Sequence, residues 1–294
     1  MYDAAVHNLE ANDRIHGLSV SAQALGAQNR ALVSLPELAV MLGFPAGNVQ
    51  ALGEVQFPVR RLQPGETLFR TGDEFEAFYV VRSGFLKTVC LDGAGNEQVL
   101  AFPMRADAIG VDGFDAGRYT ADAIALDTCH VIIVSFARIA ELTHQTPEIE
   151  RLLYSIFNRE LTHRQNMVRL LGMLNAEARV AAFLLDLSER FARMGCSRAS
   201  FSLRMTREEM GSYLGIKLET VSRALSAFAA SGLIEVERRE LVLKNVEGLQ
   251  RKLSSPEAKD PVCRAGLRKP AAGRLAARPA FRASQSLSWV PMAA

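Results

Sequence analysis

Ile149, Leu153, Ile156, Glu160, His163, Met167, Leu170 and Leu174 step along the chain by alternating intervals of four and three. That spacing is the seam of one long helix, of the kind found in two-stranded coiled coils. It predicts a dimerisation helix over residues 141–174. The alternative is that the stripe packs on the chain's own neighbouring domain, and the polar members Glu160 and His163 keep that alternative open. A helix of this length divides the chain, and the textures on its two sides differ. From Glu54 to Ser135, short runs such as Phe78-Tyr79-Val80-Val81 and His130-Val131-Ile132-Ile133-Val134 recur between turn signals, among them Gln63-Pro64-Gly65, Thr71-Gly72-Asp73 and Asp92-Gly93-Ala94-Gly95-Asn96. Runs rich in β-branched and aromatic residues at that spacing predict a compact antiparallel roll.

The expected fold class is α+β, in five parts. Residues 1–50 read as a helical or loop segment broken by Pro36, Gly43, Pro45 and Gly47. Residues 51–140 read as a β-roll sensor domain, a cupin-like jelly roll in outline. The dimerisation helix 141–174 follows, then a winged helix-turn-helix over 175–252. Residues 253–294 read as a disordered basic tail, rich in Ala, Arg, Pro and Ser and without periodicity. Met1 to Asn12 has no basic or apolar signal region, and no apolar run approaches the roughly 20 residues that span a bilayer. A cytoplasmic protein without a membrane partner is expected. Cys90, Cys129, Cys196 and Cys263 form no CxxC pair, which argues against a disulfide framework or a compact metal knuckle.

Residues 206–230 carry the sharpest local signal. Thr206-Arg207-Glu208-Glu209 has the form of a capping box, in which hydroxyl and carboxylate satisfy each other's backbone N–H groups. The short helix it opens ends at Leu214, where Gly215 supplies a left-handed stop. A second helix follows at once, with Leu218, Val221, Leu225 and Phe228 as its buried stripe. Glu219, Ser222 and Arg223 share the opposite, exposed face. Two short helices around a glycine turn form a helix-turn-helix, whose second helix enters the DNA major groove. Arg223 can donate two hydrogen bonds to guanine, Glu219 can accept one from cytosine, and Ser222 can meet a base edge or a phosphate. The competing reading is a surface ion pair between Glu219 and Arg223.

Met205-Thr206-Arg207-Glu208-Glu209-Met210-Gly211-Ser212-Tyr213-Leu214-Gly215-Ile216-Lys217-Leu218-Glu219-Thr220-Val221-Ser222-Arg223 resembles the helix-turn-helix of the CRP/FNR family of bacterial regulators. Its Glu-x-x-Ser-Arg pattern resembles the FNR branch. The resemblance continues through Asn175-Ala176-Glu177-Ala178-Arg179-Val180-Ala181-Ala182-Phe183 and into the roll at Gly65-Glu66-Thr67-Leu68-Phe69-Arg70-Thr71-Gly72-Asp73, Val81-Arg82-Ser83-Gly84 and Gly113-Phe114-Asp115-Ala116, covering about residues 54–250. It implies a homodimer on double-stranded DNA, with Glu219, Ser222 and Arg223 reading each half of an inverted TTGAT-like repeat. Thr206, Arg207, Lys217 and Thr220 would lie against the DNA backbone. It also implies an activator that meets RNA polymerase, in oxygen-, nitrogen-oxide- or redox-linked gene control. Two departures stand out. Lys217 occupies the recognition-helix cap, where the family has Ser or Thr, which should cost about 1 kcal/mol. The wing turn Glu237-Arg238-Arg239-Glu240 lacks the family's glycine, leaving Arg238 and Arg239 as phosphate contacts or as a merely solvated turn.

FNR itself binds an iron–sulfur cluster through clustered N-terminal cysteines and one in the roll, and cluster iron needs several converging thiolates. Residues 1–89 contain no cysteine, so Cys129 is expected to be a small core hydrophobe. The resemblance therefore points to a relative without a cluster, a dimer in air that needs no cofactor. Asn166, where FNR-like proteins place an aspartate, removes a self-repelling charge from the two-fold interface. A cyclic-nucleotide-responsive, CRP-like regulator is the alternative, although residues 108–120 lack the Gly-Glu pair of the family's phosphate cassette and match its Arg-Ser pair only in part, at Arg118-Tyr119-Thr120. Haem is disfavoured, since the histidines have no distinguishing context. Cys196, between Arg193 and Arg198, is a candidate redox thiol, with an inert surface cysteine as the competing reading. A cupin-like metalloenzyme is a weaker alternative, because no His-x-His pair, GxSxG, HExxH or P-loop occurs; neither catalytic nor metal-binding residues are expected.

Overall fold

The computed structural model describes residues 31–44 and 55–254, apart from 92, 94 and 146. Strand β1 (Leu32–Ser34) leads directly into helix α1 (Leu35–Met41). Ser34 and Glu37 close a capping box at its start, and a proline sits in its first turn, where no N–H is needed. The roll follows as β2 (Gln56–Leu62), β3 (Thr67–Phe69), β4 (Ala77–Ser83), β5 (Leu86–Leu91), β6 (Glu97–Ala101), β7 (Ala108–Ile109), the single-turn helix α2 (Gly113–Ala116), β8 (Asp122–Ala125) and β9 (Cys129–Ser135). Two sheets result, in the orders β1-β2-β9-β4-β7 and β3-β8-β5-β6. The first begins earlier than the sequence suggests: Val33 pairs antiparallel with Phe57, so the helical-or-loop segment contributes an edge strand. The expected disorder of the tail falls on residues outside the described part of the chain, apart from its first two positions.

Strand alternation places the core. On β4, Phe78 and Val80 face one cluster while Val81 faces the other; on β9, Ile132 and Val134 oppose Cys129 and Val131 in the same way. The inner cluster, including Leu62, Leu86 and Tyr119, fills the space between the two sheets. The outer cluster receives α1 and two further helices, α3 (Phe136–Gln145) and α4 (Pro147–Met173). The long helix expected over 141–174 is thus two helices, with Pro147 opening the second.

The C-terminal part comprises α5 (Ala176–Arg193), β10 (Ser200–Ser202), α6 (Arg207–Leu214), α7 (Leu218–Ala230), β11 (Ile234–Glu237), β12 (Glu240–Leu243) and α8 (Val246–Ser254). Its three strands pair in the order β10-β12-β11 and form the wing beside the helix-turn-helix. This unit shares a core with the roll. Phe85, Val89, Val99, Phe102 and Met104 belong to the same buried cluster as Phe183, Leu184, Tyr213 and Phe228. Phe102 lies 6.0 Å from Phe183 and 5.2 Å from Tyr213, ring centre to ring centre.

The expected dimer seam is corrected by α4 itself. Ile149 and Ile156 are 0% and 5% exposed, and with Leu153 they pack on the outer face of the chain's own roll. Met167 and Leu170 pack against the core shared with the helix-turn-helix. Glu160 and His163 line the cleft between α4 and the roll, and Leu174 lies past the end of the helix. A heptad stripe announces that one face is buried but not what buries it. The apolar residues left outside are Tyr154, Leu161 and Val168, at 61%, 54% and 72% exposure and seven residues apart.

Because the roll and the helix-turn-helix share one core, truncating Phe102 to Ala should lower the unfolding free energy by about 3–5 kcal/mol. The loss should appear alike in urea titrations followed from the roll and from the C-terminal unit. A loss confined to one of the two would contradict the shared core.

Candidate nucleic-acid interface

Local chemistry builds the helix-turn-helix. The Thr206 hydroxyl accepts from the Glu209 N–H at 3.1 Å, and a Glu209 carboxylate oxygen accepts from the Thr206 N–H at 2.7 Å. Gly215 ends α6 at φ 63°, a left-handed conformation that costs a residue with a Cβ. Gly211 serves a different need: a Cβ there would come 2.7 Å from the Ile216 carbonyl, so its absence lets the turn close onto α6. Val221, Ala224, Leu225 and Phe228 anchor α7 in the core.

Leu218 does not join them. At 43% exposure it stands on the surface at the first position of α7, contrary to the stripe expected from sequence. The helix reaches beyond its own core by one turn, and spacing alone does not register where the core ends. Leu218 is therefore a surface residue that the sequence reading missed. Its signal was its place immediately after the turn, at the end of the helix presented to DNA in this motif.

Glu219 and Arg223 are exposed and Ser222 is half-buried. Among the described residues no ion pair joins Glu219 to Arg223, so both heads remain free for an external partner. Arg207, at the start of α6, reaches across to donate to the Ser222 hydroxyl at 3.4 Å. Lys217 caps α7 with extended backbone and makes no side-chain cap bond. Thr206 and Lys217 are exposed beside this face and Thr220 is half-buried. Arg238 and Arg239 stand exposed at the tip of the β11–β12 hairpin, with Glu237 opposite Glu240. Arg238 adopts φ 54°, the conformation that a glycine would supply without strain.

The other candidates lie away from this face. Cys196 is exposed beyond the end of α5, and Arg198 beside it is already engaged by Glu189 at 2.9 Å. Cys129 is buried in the roll; its thiol donates to the Phe85 carbonyl, and burial, with the Asp127 carboxylate nearby, pushes its pKa up to about 12. In the roll, Arg118 donates to the Gly72 carbonyl at 2.7 Å, and in the cleft between the roll and α4 the Thr120 hydroxyl donates to Asp112. Among the described residues no group of three or more His, Cys, Asp or Glu is placed to hold a metal ion, and no helix is long and apolar enough to cross a membrane.

A β-roll joined through a long helix to a winged helix-turn-helix with an open polar face defines a DNA-binding regulator. Residues 59–146 match the family described as the cyclic nucleotide-binding domain, and residues 178–252 match the Crp-like helix-turn-helix domain. The transcriptional activator protein anr of Pseudomonas aeruginosa is 39% identical over 215 residues, covering 73% of this chain and 88% of that protein. The transcriptional regulatory protein btr of Bordetella pertussis is 37% identical over 216 residues, 74% of this chain and 89% of that protein. The solved structure of FixK2 from Bradyrhizobium japonicum superposes with a TM-score of 0.61 at 28% identity, over 66% of this chain and 96% of that one. The chain belongs to the CRP/FNR family of transcriptional regulators, and it is a regulator rather than an enzyme.

Two outcomes follow from this geometry. Lys217→Ser should supply the missing cap and raise stability by about 1 kcal/mol, read as a higher melting temperature. If Lys217 also meets a phosphate, the same variant should lower the slope of log affinity against log salt by about 1. In a Cys263→Ser background at pH 8, a thiol reagent should label Cys196 in the native protein and Cys129 only after unfolding, because the thiolate is the reacting form. Native labelling of Cys129 at the rate of Cys196 would contradict its burial.

Proposed function

We propose that this regulator is a homodimer of the FNR type that reads an inverted TTGAT-like repeat through α7. The observation that carries the reading is the open face of that helix, where Glu219, Ser222 and Arg223 project with no partner between Glu219 and Arg223. A guanidinium forks onto guanine O6 and N7, and a carboxylate accepts from cytosine N4, so the pair matches a G·C step within the half-site. Leu218 adds an apolar surface beside them, suited to a thymine methyl group. Thr206, Arg207, Lys217, Thr220, Arg238 and Arg239 are the backbone contacts of this reading, fixing register without reading sequence.

The dimer face of the proposal is the outer stripe of α4, Tyr154, Leu161 and Val168. A seven-residue repeat left exposed on one side of a helix is a face that a second copy of the same helix can bury. The described cysteines support a regulator without an iron–sulfur cluster: Cys90, Cys129 and Cys196 are unpaired, Cys129 is occupied by the Phe85 carbonyl, and residues 1–89 contain none. Oxygen-, nitrogen-oxide- or redox-linked control, with activation through RNA polymerase, is the role this reading carries; of the named relatives, one is called a transcriptional activator.

Gel shifts on an inverted TTGAT repeat test the reading. Arg223→Ala should lose about 1–3 kcal/mol, or roughly 5- to 150-fold in affinity, on that repeat. The loss should shrink on a repeat whose contacted guanine is replaced. Leu218→Ala should weaken binding less, and most where the contacted thymine carries its methyl. Leu161→Glu should yield monomers in light scattering and abolish the advantage of two half-sites over one. An Arg223→Ala protein that binds as tightly as the parent overturns the reading.

A further inference from the structure

Arg179 lies on neither surface just described, yet its guanidinium is fully engaged. Its Nε donates to the Leu174 carbonyl at 3.0 Å, Nη2 to the Leu171 carbonyl at 2.7 Å, and Nη1 to the Leu214 carbonyl at 3.1 Å. Leu171 belongs to the last turn of α4, and Leu174 is the residue that follows its end. Leu214 is the last residue of α6, the helix that leads into the turn before α7. The carbonyls at a helix C-terminus have no partner within the helix, and they carry the negative end of its dipole. One planar cation on the first turn of α5 therefore ties together the ends of two helices, the one proposed to dimerise and the one that sets the turn. Gly215 lies directly beside it: a Cβ at that position would be in ordinary contact with Nη1, at 3.6 Å.

We infer that Arg179 is a positioning residue for DNA reading. It fixes the angle of the helix-turn-helix against α4, and thereby the separation of the two recognition helices in a dimer. The inference rests on the homodimeric reading above. Among the described hydrogen bonds, no other side chain joins the end of α4 to the end of α6, and the Leu171 side chain beside it reaches Gly215 only by apolar contact. A planar guanidinium donates to all three carbonyls from fixed positions, whereas an ammonium is a point charge on a flexible stem and cannot reproduce that geometry. The effect belongs to bivalent binding. A dimer gains from its second half-site only when its heads match the spacing, so a loosened head broadens the accepted spacings and lowers the gain at the best one.

The test compares the parent with Arg179→Lys on inverted repeats whose spacers differ by single base pairs, and on a single half-site. The parent should prefer one spacer by about tenfold or more over its neighbours. Arg179→Lys should keep the dimeric mass and bind the single half-site within about twofold of the parent, while its preference among spacers falls to about threefold or less. A variant with the parent's spacer profile, merely scaled, overturns the inference. A parent with no preference for a repeat over a half-site overturns the dimeric reading and the inference with it. A measurement without DNA guards against loss of stability. Spin labels at Ser226→Cys in both protomers, with Cys90, Cys196 and Cys263 changed to serine, should give a narrow distance distribution for the parent and a broad one for Arg179→Lys below its melting range. Equal widths overturn the inference.

Discussion

The arrangement of this regulator depends on one buried contact, where the outer face of the four-stranded sheet meets the helix-turn-helix unit. Apolar burial there is extensive, with Phe102 set between Phe183 and Tyr213. Apolar contact alone would allow the surfaces to slide. The polar groups within it do not. Arg190, 9% exposed, donates to the Phe102 carbonyl at 3.0 Å and pairs with Asp107 of the roll and Asp186 of its own helix. Burial would lower its pKa, but the Asp107 and Asp186 carboxylates raise it overall, so it stays charged and must keep its partners. Lys87 of β5 bridges Glu97 and Glu209 at 2.9 and 3.1 Å. The Ser212 hydroxyl accepts from the Val99 N–H at 2.8 Å and donates to the Glu97 carbonyl at 3.1 Å. Each bond has a direction, and together they select one orientation from the many that apolar packing would permit.

That orientation has a consequence for α6. Glu209 closes the capping box of the helix and also meets Lys87 of the roll, and Ser212, one turn further on, meets β6. The first helix of the reading motif is therefore fastened to the roll along one side. The second helix stays open, with Leu218, Glu219 and Arg223 facing solvent. The outer stripe of α4 faces solvent as well. A body with two exposed faces, one for a copy of itself and one for DNA, is the form that the proposed two-fold recognition requires.

What could be read from sequence, and what could not, follows from the range of each signal. Capping boxes, a left-handed glycine and a hairpin are decided within four or five residues. Thr206, Glu209, Gly215 and the turn at Arg238 were legible for that reason, as was the roll's alternation on β4 and β9. The heptad on α4 was legible as a buried stripe, but the identity of its neighbour is a long-range fact. Ile149 and Ile156 found the roll, which lies next to them in sequence, before any second chain was available. The shared core was invisible for the same reason. Val89 and Val99 look like any strand residues, and nothing local says that their outward face will be covered by residues more than eighty positions later. Leu218 and Arg179 failed differently: one sits where a periodic pattern outruns the core, and the other spends its charge on backbone carbonyls that no sequence pattern displays.

The charge distribution separates recognition from bulk attraction. The chain as a whole carries +2, yet residues 254–294 hold seven Lys and Arg against two acids, so the preceding part is slightly acidic. An acidic body is a poor collector of phosphate by net charge, and the non-specific component of DNA binding depends on cations that reach the backbone. On the folded body those cations are local: Arg207, Lys217, Arg223, Arg238 and Arg239 all stand exposed around α7 and the wing. Their effect comes from position, because screening confines each to about 10 Å at moderate salt. Specific affinity in such a protein must come from how well these groups match the grooves, and hence from how firmly the helix-turn-helix is held. The bonds of Arg190 and Ser212 hold that unit against the roll, and on the proposed reading those of Arg179 do the same at the end of α4.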